Sequence, residues 1–127
     1  MTSYLLKNIT VLDNTSEHNG KKVNVLIENG KIAKIGAAVE NAAAETIDFS
    51  GSCLAPGFCD LYVNINDPGF EYREDIASVA NAAIAGGFTT ICATANNHPI
   101  TQTKAQVEYI LNNAKNTPIT ILPIGAV

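Results

Sequence analysis

Between Tyr4 and Gly51, apolar and polar residues alternate in runs of strand length. "YLLKNITVLD" reads as a first strand. "KKVNVLIENGKIAKIG" predicts two more, joined by Asn29-Gly30, the dipeptide that best tolerates the positive φ angles of a tight hairpin turn. Alternation in "VNVLIE" sets Val23, Val25 and Ile27 on one face. "ETIDFSG" predicts a last strand before "LAPGF", a Pro-Gly break. Residues 1–56 are therefore expected to be all-β.

After Gly57 the rhythm becomes strand, helix, strand, helix, strand. "FCDLYVNI" is the first strand of this part. From Glu71 to Gly86, the residues Ile76, Val79, Ala80, Ala83 and Ile84 recur at helical spacing, and Gly86-Gly87 ends that helix. "FTTICAT" is the second strand. Thr103 and Gln106 form a capping box for a second helix with the stripe Val107, Ile110, Leu111 and Ala114. Pro118 then opens a third strand, "ITILPIGAV". No internal repeat or low-complexity tract interrupts the pattern.

Strands that alternate with helices pair in parallel through right-handed crossovers. Two α/β folds share that signature, a doubly wound sheet and a (β/α)8 barrel. The first strand separates them. In "DLYVNIN" the residues Leu61, Val63 and Ile65 are apolar, whereas Asp60, Tyr62, Asn64 and Asn66 are polar. Central strands of a doubly wound sheet lie under helices on both faces and are nearly all apolar. One apolar and one polar face suits a barrel strand near the carboxyl-end mouth, where active sites are built. A whole barrel needs roughly 200 residues or more. About 70 follow residue 57, so about three of the eight strands are expected, in a fragment or in a chain completed by another polypeptide.

Composition narrows the function classes. The 127 residues are 46% hydrophobic and only 16% charged, below the usual quarter, which argues for a packed core. A net charge of −4 with no basic cluster excludes the electrostatic footprint of nucleic-acid binding. The uncharged stretch from Ile76 to Thr103 is broken by "AGG" and "NNHP" and is not a membrane span. "MTSYLLKNIT" lacks an apolar run behind a basic segment, so a cytoplasmic location is expected. Cys53, Cys59 and Cys92 contain no CxxC pair and are expected to be buried thiols rather than disulfides or a zinc knuckle. His98 in "NNHP" lies on the mouth side, where it is either a metal or base candidate or simply an exposed loop residue. His18 falls in a turn of the β region.

The run "LAPGFCDLYVNINDPGFEYREDIASVANAAIAGGFTTICATANNHP", followed by "LPIGA", resembles the dihydroorotases, cyclic amidohydrolases of the amidohydrolase superfamily. Their first strand carries Asp-x-His-x-His-x-Arg-x-Pro-Gly. The "ENGKI" hairpin is similar to the amino-terminal part of the small β-sandwich that these enzymes attach to their barrel. The resemblance implies an α/β fold, with the start of a (β/α)8 TIM barrel over 57–127 (three strands, two helices) preceded by part of a β-sandwich over 1–56. It also implies zinc-dependent hydrolysis of a cyclic amide, dihydroorotate or its product carbamoyl aspartate, in pyrimidine biosynthesis.

Carried over position by position, the resemblance places the family's two strand histidines at Tyr62 and Asn64 and its substrate-gripping arginine at Asn66. Asn96 falls at a second substrate-binding position, and Asp60 matches the family aspartate. Two imidazoles two residues apart project from the same side of a strand, and neutral imidazole is a good zinc donor. A phenol with a pKa near ~10 and a neutral amide oxygen are not equivalents, the latter suiting Ca²⁺ or Mg²⁺ better. Asn66 lacks the charged fork that holds a carboxylate. Tyr62 and Asn64 are therefore expected not to bind zinc. The family's other ligands (a carboxylated lysine, two more histidines and an aspartate) come from later strands. Two readings follow: a non-catalytic homologue, or an active zinc enzyme completed by residues outside this chain. Non-catalytic relatives hold aspartate transcarbamoylase in a complex, which makes that enzyme, or a second copy of this chain, the expected partner, with no nucleic acid and no membrane. The polar row is then either the remnant of a ligand-holding mouth or a set of side chains that satisfy one another and the backbone.

Overall fold

Asn29 and Gly30 take φ of 53° and 73° and fold β2 (Lys22–Glu28) back onto β3 (Lys31–Gly36) as an antiparallel pair. This is the hairpin that the dipeptide predicts. The computed structural model describes residues 3–127. Their contacts divide the chain between Pro56 and Gly57.

In the first unit β1 (Ser3–Val11) is the central strand, antiparallel to β2 and parallel to β4 (Glu45–Asp48) and to the two-residue β5 (Cys53–Leu54). The sheet order is β3-β2-β1-β4, with β5 also on β1. Ile9, Val11, Val23 and Val25 form the buried core, against which Leu6, Ile27, Ile35, Phe49 and Leu54 pack. The face expected from Val23, Val25 and Ile27 is thus the core face. Asn24 is buried as well, because its amide oxygen accepts from Asn8 N–H at 3.1 Å and its amide donates to the Val39 carbonyl at 3.1 Å. Those bonds close a register shift between Leu6 and Ile9, where Asn8 takes a φ of 61°.

The second unit runs β6 (Phe58–Val63), α1 (Ile76–Ala85), β7 (Phe88–Ala93), α2 (Lys104–Ala114) and β8 (Thr120–Pro123). All three strands are parallel, in the order β6-β7-β8. The helices cover the face bearing Ile91, Ala93, Ile119 and Ile121, and Ile65, Ile76, Val79, Ala80, Ile110 and Ala114 complete that core. Each fully buried Ile or Val contributes ~1.5–3 kcal/mol of transfer free energy.

Three expectations need correction. The first helix starts at Ile76, not near Glu71, because Asp75 caps it: the Asp75 carboxylate accepts from Ser78 N–H at 2.7 Å and the Ser78 hydroxyl returns the bond. Residues before a cap are held outside the helix by the cap's extended backbone. Ile84 and Leu111 are exposed, so each buried stripe is narrower than its periodicity suggests. The cysteines are not buried. Cys53 and Cys59 are exposed and Cys92 is half-buried. Cys59 belongs to β6, at the end of its sheet, and Cys92 alternates with the core residues Ile91 and Ala93. The second helix keeps its expected cap, with Thr103 and Gln106 bonded reciprocally.

Candidate functional site at the carboxyl ends of β6 and β7

The polar row depends on β6 alternating regularly, and it does not. Asp60 pairs with Ile91, but Val63 pairs with Ala93, so three steps on β6 match two on β7. Such a bulge changes the side-chain phase. Asp60 consequently lines the same cavity as Val63, Val79, Ala82, Ala83, Phe88 and Ile91. Leu61, expected to join Val63 and Ile65 under the helices, is 70% exposed. The single polar face of Asp60, Tyr62, Asn64 and Asn66 is thereby corrected.

Each expected site residue has its own setting. Tyr62 is 77% exposed, and its N–H donates to Asp60 Oδ1 at 2.9 Å. Asn64 Oδ1 accepts from the Thr94 hydroxyl at 2.6 Å, and Thr94 N–H in turn donates to the Val63 carbonyl at 2.9 Å. Asn66 lies past the strand with a φ of 58°, its carbonyl accepting from Phe70 N–H at 2.8 Å, so it belongs to a turn. Asn96 is exposed. Among the described residues no hydrogen bond joins Tyr62, Asn64, Asn66 and Asn96 to one another. His98 is exposed, with its ring centroid 6.3 Å from that of Phe70.

The centre of this end is a residue that the motif reading passes over. Asp67 is 8% exposed, accepts from the Tyr109 hydroxyl at 2.8 Å through Oδ1, and receives Ile76 N–H at 3.4 Å on Oδ2. Asn97, also buried, donates to the Asp67 carbonyl at 3.5 Å and to Thr101 Oγ1 at 3.3 Å. The β6–α1 loop, the β7–α2 loop and both helices thus meet on one polar network, buried at Asp67, Asn97 and Thr101 and open to solvent at Tyr109. The Asp67 hydrogen bond, burial and the negative charges of Asp67 and Glu71 raise the Tyr109 pKa above the ordinary phenol value. Backbone N–H groups of Gly69 and Glu71 hold the Glu71 carboxyl below its ordinary range. Nothing local in sequence marks the Asp67–Tyr109 pair, whose members lie 42 residues apart.

The loops also touch directly. His98 N–H donates to the Pro68 carbonyl at 3.1 Å. Gly69, at a φ of 104°, lies where any Cβ would overlap the His98 carbonyl oxygen. Beside them the Arg73 guanidinium stacks 5.2 Å from the Phe70 ring centroid and 5.3 Å from that of Tyr72.

Zinc needs imidazole, thiolate or carboxylate donors in tetrahedral reach. Tyr62 offers a phenol, and the Asn64 amide oxygen is already engaged by Thr94. Among the described residues no three His, Cys, Asp or Glu side chains gather as a metal site. The residues at this position do not fit zinc. No helix of the described residues is long and apolar enough to cross a membrane.

Comparison with known proteins agrees with this frame. Residues 51–127 match the family model described as dihydro-orotase-like. The chain is 41% identical over 124 residues to a dihydroorotase of Syntrophotalea carbinolica, covering 97% of this chain and 29% of that protein. It is 39% identical over 128 residues to a dihydroorotase of Aquifex aeolicus, covering 100% and 30%. Among solved structures, the L-hydantoinase (dihydropyrimidinase) from Arthrobacter aurescens superposes with a TM-score of 0.83 at 25% identity, over 98% of this chain and 28% of that one. A dihydroorotase crystal structure, at a TM-score of 0.71 and 20% identity over 98% of this chain and 31% of that one, shares the fold. The chain spans under a third of the length of the curated relatives it matches. By its family match and its identity to these relatives, the chain belongs to the dihydroorotase-like family of amidohydrolases.

Proposed function

We propose that this chain is part of a non-catalytic dihydroorotase homologue that serves pyrimidine biosynthesis in the cytoplasm as a structural partner. In this reading residues 57–127 open a (β/α)8 TIM barrel and residues 1–56 are part of the attached β-sandwich. The observation that carries it is the replacement at the strand positions. Where the family resemblance places two zinc-binding imidazoles, Asn64 spends its oxygen on the Thr94 hydroxyl at 2.6 Å and Tyr62 presents a phenol that is 77% exposed. With Asn66 in a left-handed turn and uncharged, the carboxylate grip of the family arginine is also missing. The frame around these positions is kept, as a scaffold requires. The partner of this reading is aspartate transcarbamoylase or a second copy of the chain.

The test is elemental analysis and a dihydroorotate hydrolysis assay on the purified full-length protein. Zinc well below one per chain with no hydrolysis is expected. One or two tightly held metals with turnover would replace this reading by the alternative, an active zinc-dependent dihydroorotase completed by residues outside this chain, which the 41% identity to a dihydroorotase favours.

A further inference from the structure

A chain of hydrogen bonds crosses the carboxyl ends of all three strands of the second unit. It starts at the two helices, where Ile76 N–H of α1 donates to Asp67 Oδ2 at 3.4 Å and the Tyr109 hydroxyl of α2 donates to Asp67 Oδ1 at 2.8 Å. Two bonds carry it from the β6–α1 loop to the β7–α2 loop. The Pro68 carbonyl accepts from His98 N–H at 3.1 Å, and the Asp67 carbonyl accepts from the Asn97 amide at 3.5 Å. Asn97 also donates to Thr101 Oγ1 at 3.3 Å, and the Thr101 carbonyl accepts from Ala126 N–H, past β8, at 2.7 Å. Every donor and acceptor belongs to this chain, so no link rests on an exposed sheet edge, and closure of a barrel requires none of them to break.

Burial makes these links depend on one another. Asp67, Asn97 and Thr101 are 8%, 7% and 0% exposed. Water does not reach them to replace a lost partner, and a desolvated polar group without one is costly. One link therefore does not open while its neighbours stay shut. Gly69 tightens the same contact, since no Cβ fits between it and the His98 carbonyl oxygen. Asp67 and Asn97 are also the sequence neighbours of Asn66 and Asn96. The bonds that hold them thus fix the backbone beside both positions where the family resemblance places substrate contacts.

We propose that the β6–α1 loop, the β7–α2 loop and the segment after β8 form one cooperative opening unit, latched to α2 by the Tyr109 hydroxyl. Local openings in proteins involve contiguous units of this kind. The mouth then opens and closes as a whole. Whatever orders one of these loops orders the other two, and a change at Tyr109 is felt at Ala126, although the two share no hydrogen bond. The proposal goes beyond the scaffold reading above and does not depend on it, because a hydrolase and a non-catalytic homologue would share this frame.

The test is amide hydrogen exchange on the full-length protein in rising, sub-denaturing urea. In the parent, the His98, Thr101 and Ala126 amides are expected to share one opening free energy and one urea slope. Both should lie below those of the amides that pair β7 with β8, because less surface is exposed than in unfolding of the whole unit. Tyr109→Phe removes only the latch and should speed exchange at all three amides by the same factor, about ten- to hundredfold. Thr101→Val removes an acceptor of Asn97 and should speed exchange at His98 as well. Separate slopes for the three amides, a Tyr109→Phe effect that stops short of Ala126, or exchange of all three only together with the β7–β8 ladder would each overturn the proposal. The parent measurement decides by itself if a variant fails to fold. Hydrolysis has no part in this readout, so activity would remove only the non-catalytic reading, and independent loop opening would remove only the cooperative unit.

Discussion

Gly69 is the position where a single methyl group should do most damage to the candidate site. Its φ of 104° lies in backbone space that residues with a Cβ rarely adopt, and that Cβ would overlap the His98 carbonyl oxygen. Gly69→Ala therefore adds two costs. The backbone strain is of order 1–3 kcal/mol. The overlap is with backbone, not with the end of a flexible side chain, so the β6–α1 and β7–α2 loops must separate, at a further ~1–3 kcal/mol. Gly87 supplies an internal control in the same unit. Its φ is 82°, but an added Cβ would meet only the Phe58 ring at 3.5 Å, an ordinary contact. Gly87→Ala should then cost the strain alone. Urea unfolding followed by a probe in residues 57–127 measures both, and hydrogen exchange at the Asn97 and His98 amides locates the damage. A reporter within one unit is needed because two units can unfold separately. Gly69→Ala is expected to destabilise by ~2–6 kcal/mol and to lower protection at the His98 amide, which bonds to the Pro68 carbonyl. If Gly69→Ala cost no more than Gly87→Ala, the close loop packing described above would be wrong.

Other outcomes follow from the same structure. Tyr109→Phe removes the hydroxyl that donates to the buried Asp67 carboxylate and should cost ~1.5–3 kcal/mol in urea unfolding, the range for a hydrogen bond to a charged group. Because the folded pKa of Tyr109 is raised, neutral Tyr109 contributes stability that is fully present below the unfolded phenol value near ~10 and is lost as pH climbs through the folded value. Stability measured between about pH 9 and 12 should fall in the parent beyond any fall in Tyr109→Phe, and parallel curves would contradict the assignment. Ile91→Ala opens the centre of the second core, where Ile91 is 1% exposed, and should cost ~2–5 kcal/mol by the same measurement. The triple change Tyr62→His, Asn64→His and Asn66→Arg should raise bound zinc above the parent level on elemental analysis. An unchanged metal content would show that the bulged strand no longer aims those positions at a common point.

How much of this was legible in advance depends on how far apart the interacting residues are. The Asn29-Gly30 hairpin, the Thr103/Gln106 cap, the Gly86 helix end and the parallel alternation after Gly57 all rest on neighbours within a few residues, and all are found where the sequence places them. The family, too, was readable from the run that contains Asp60, Pro68 and Gly69, because a long motif survives replacement of its chemical groups. The missed start of α1 is a local matter as well, since Asp75 with Ser78 is a capping box in plain view.

The site was decided elsewhere. Strict alternation assigned Asp60, Tyr62, Asn64 and Asn66 to one face, but the pairing of β6 with β7 inserts a bulge between Asp60 and Val63, and a bulge is a property of two strands together. Asp67 became the hub only when the chain brought Tyr109 and Asn97 to it from 42 and 30 residues away. Sequence by itself determined the elements, their order and the family, because hydrogen bonds and side-chain periodicity within an element are short-ranged. Tertiary structure alone decided which polar groups are buried, where the strand bulges and which glycine cannot change, because those depend on atoms that meet only after the chain has folded.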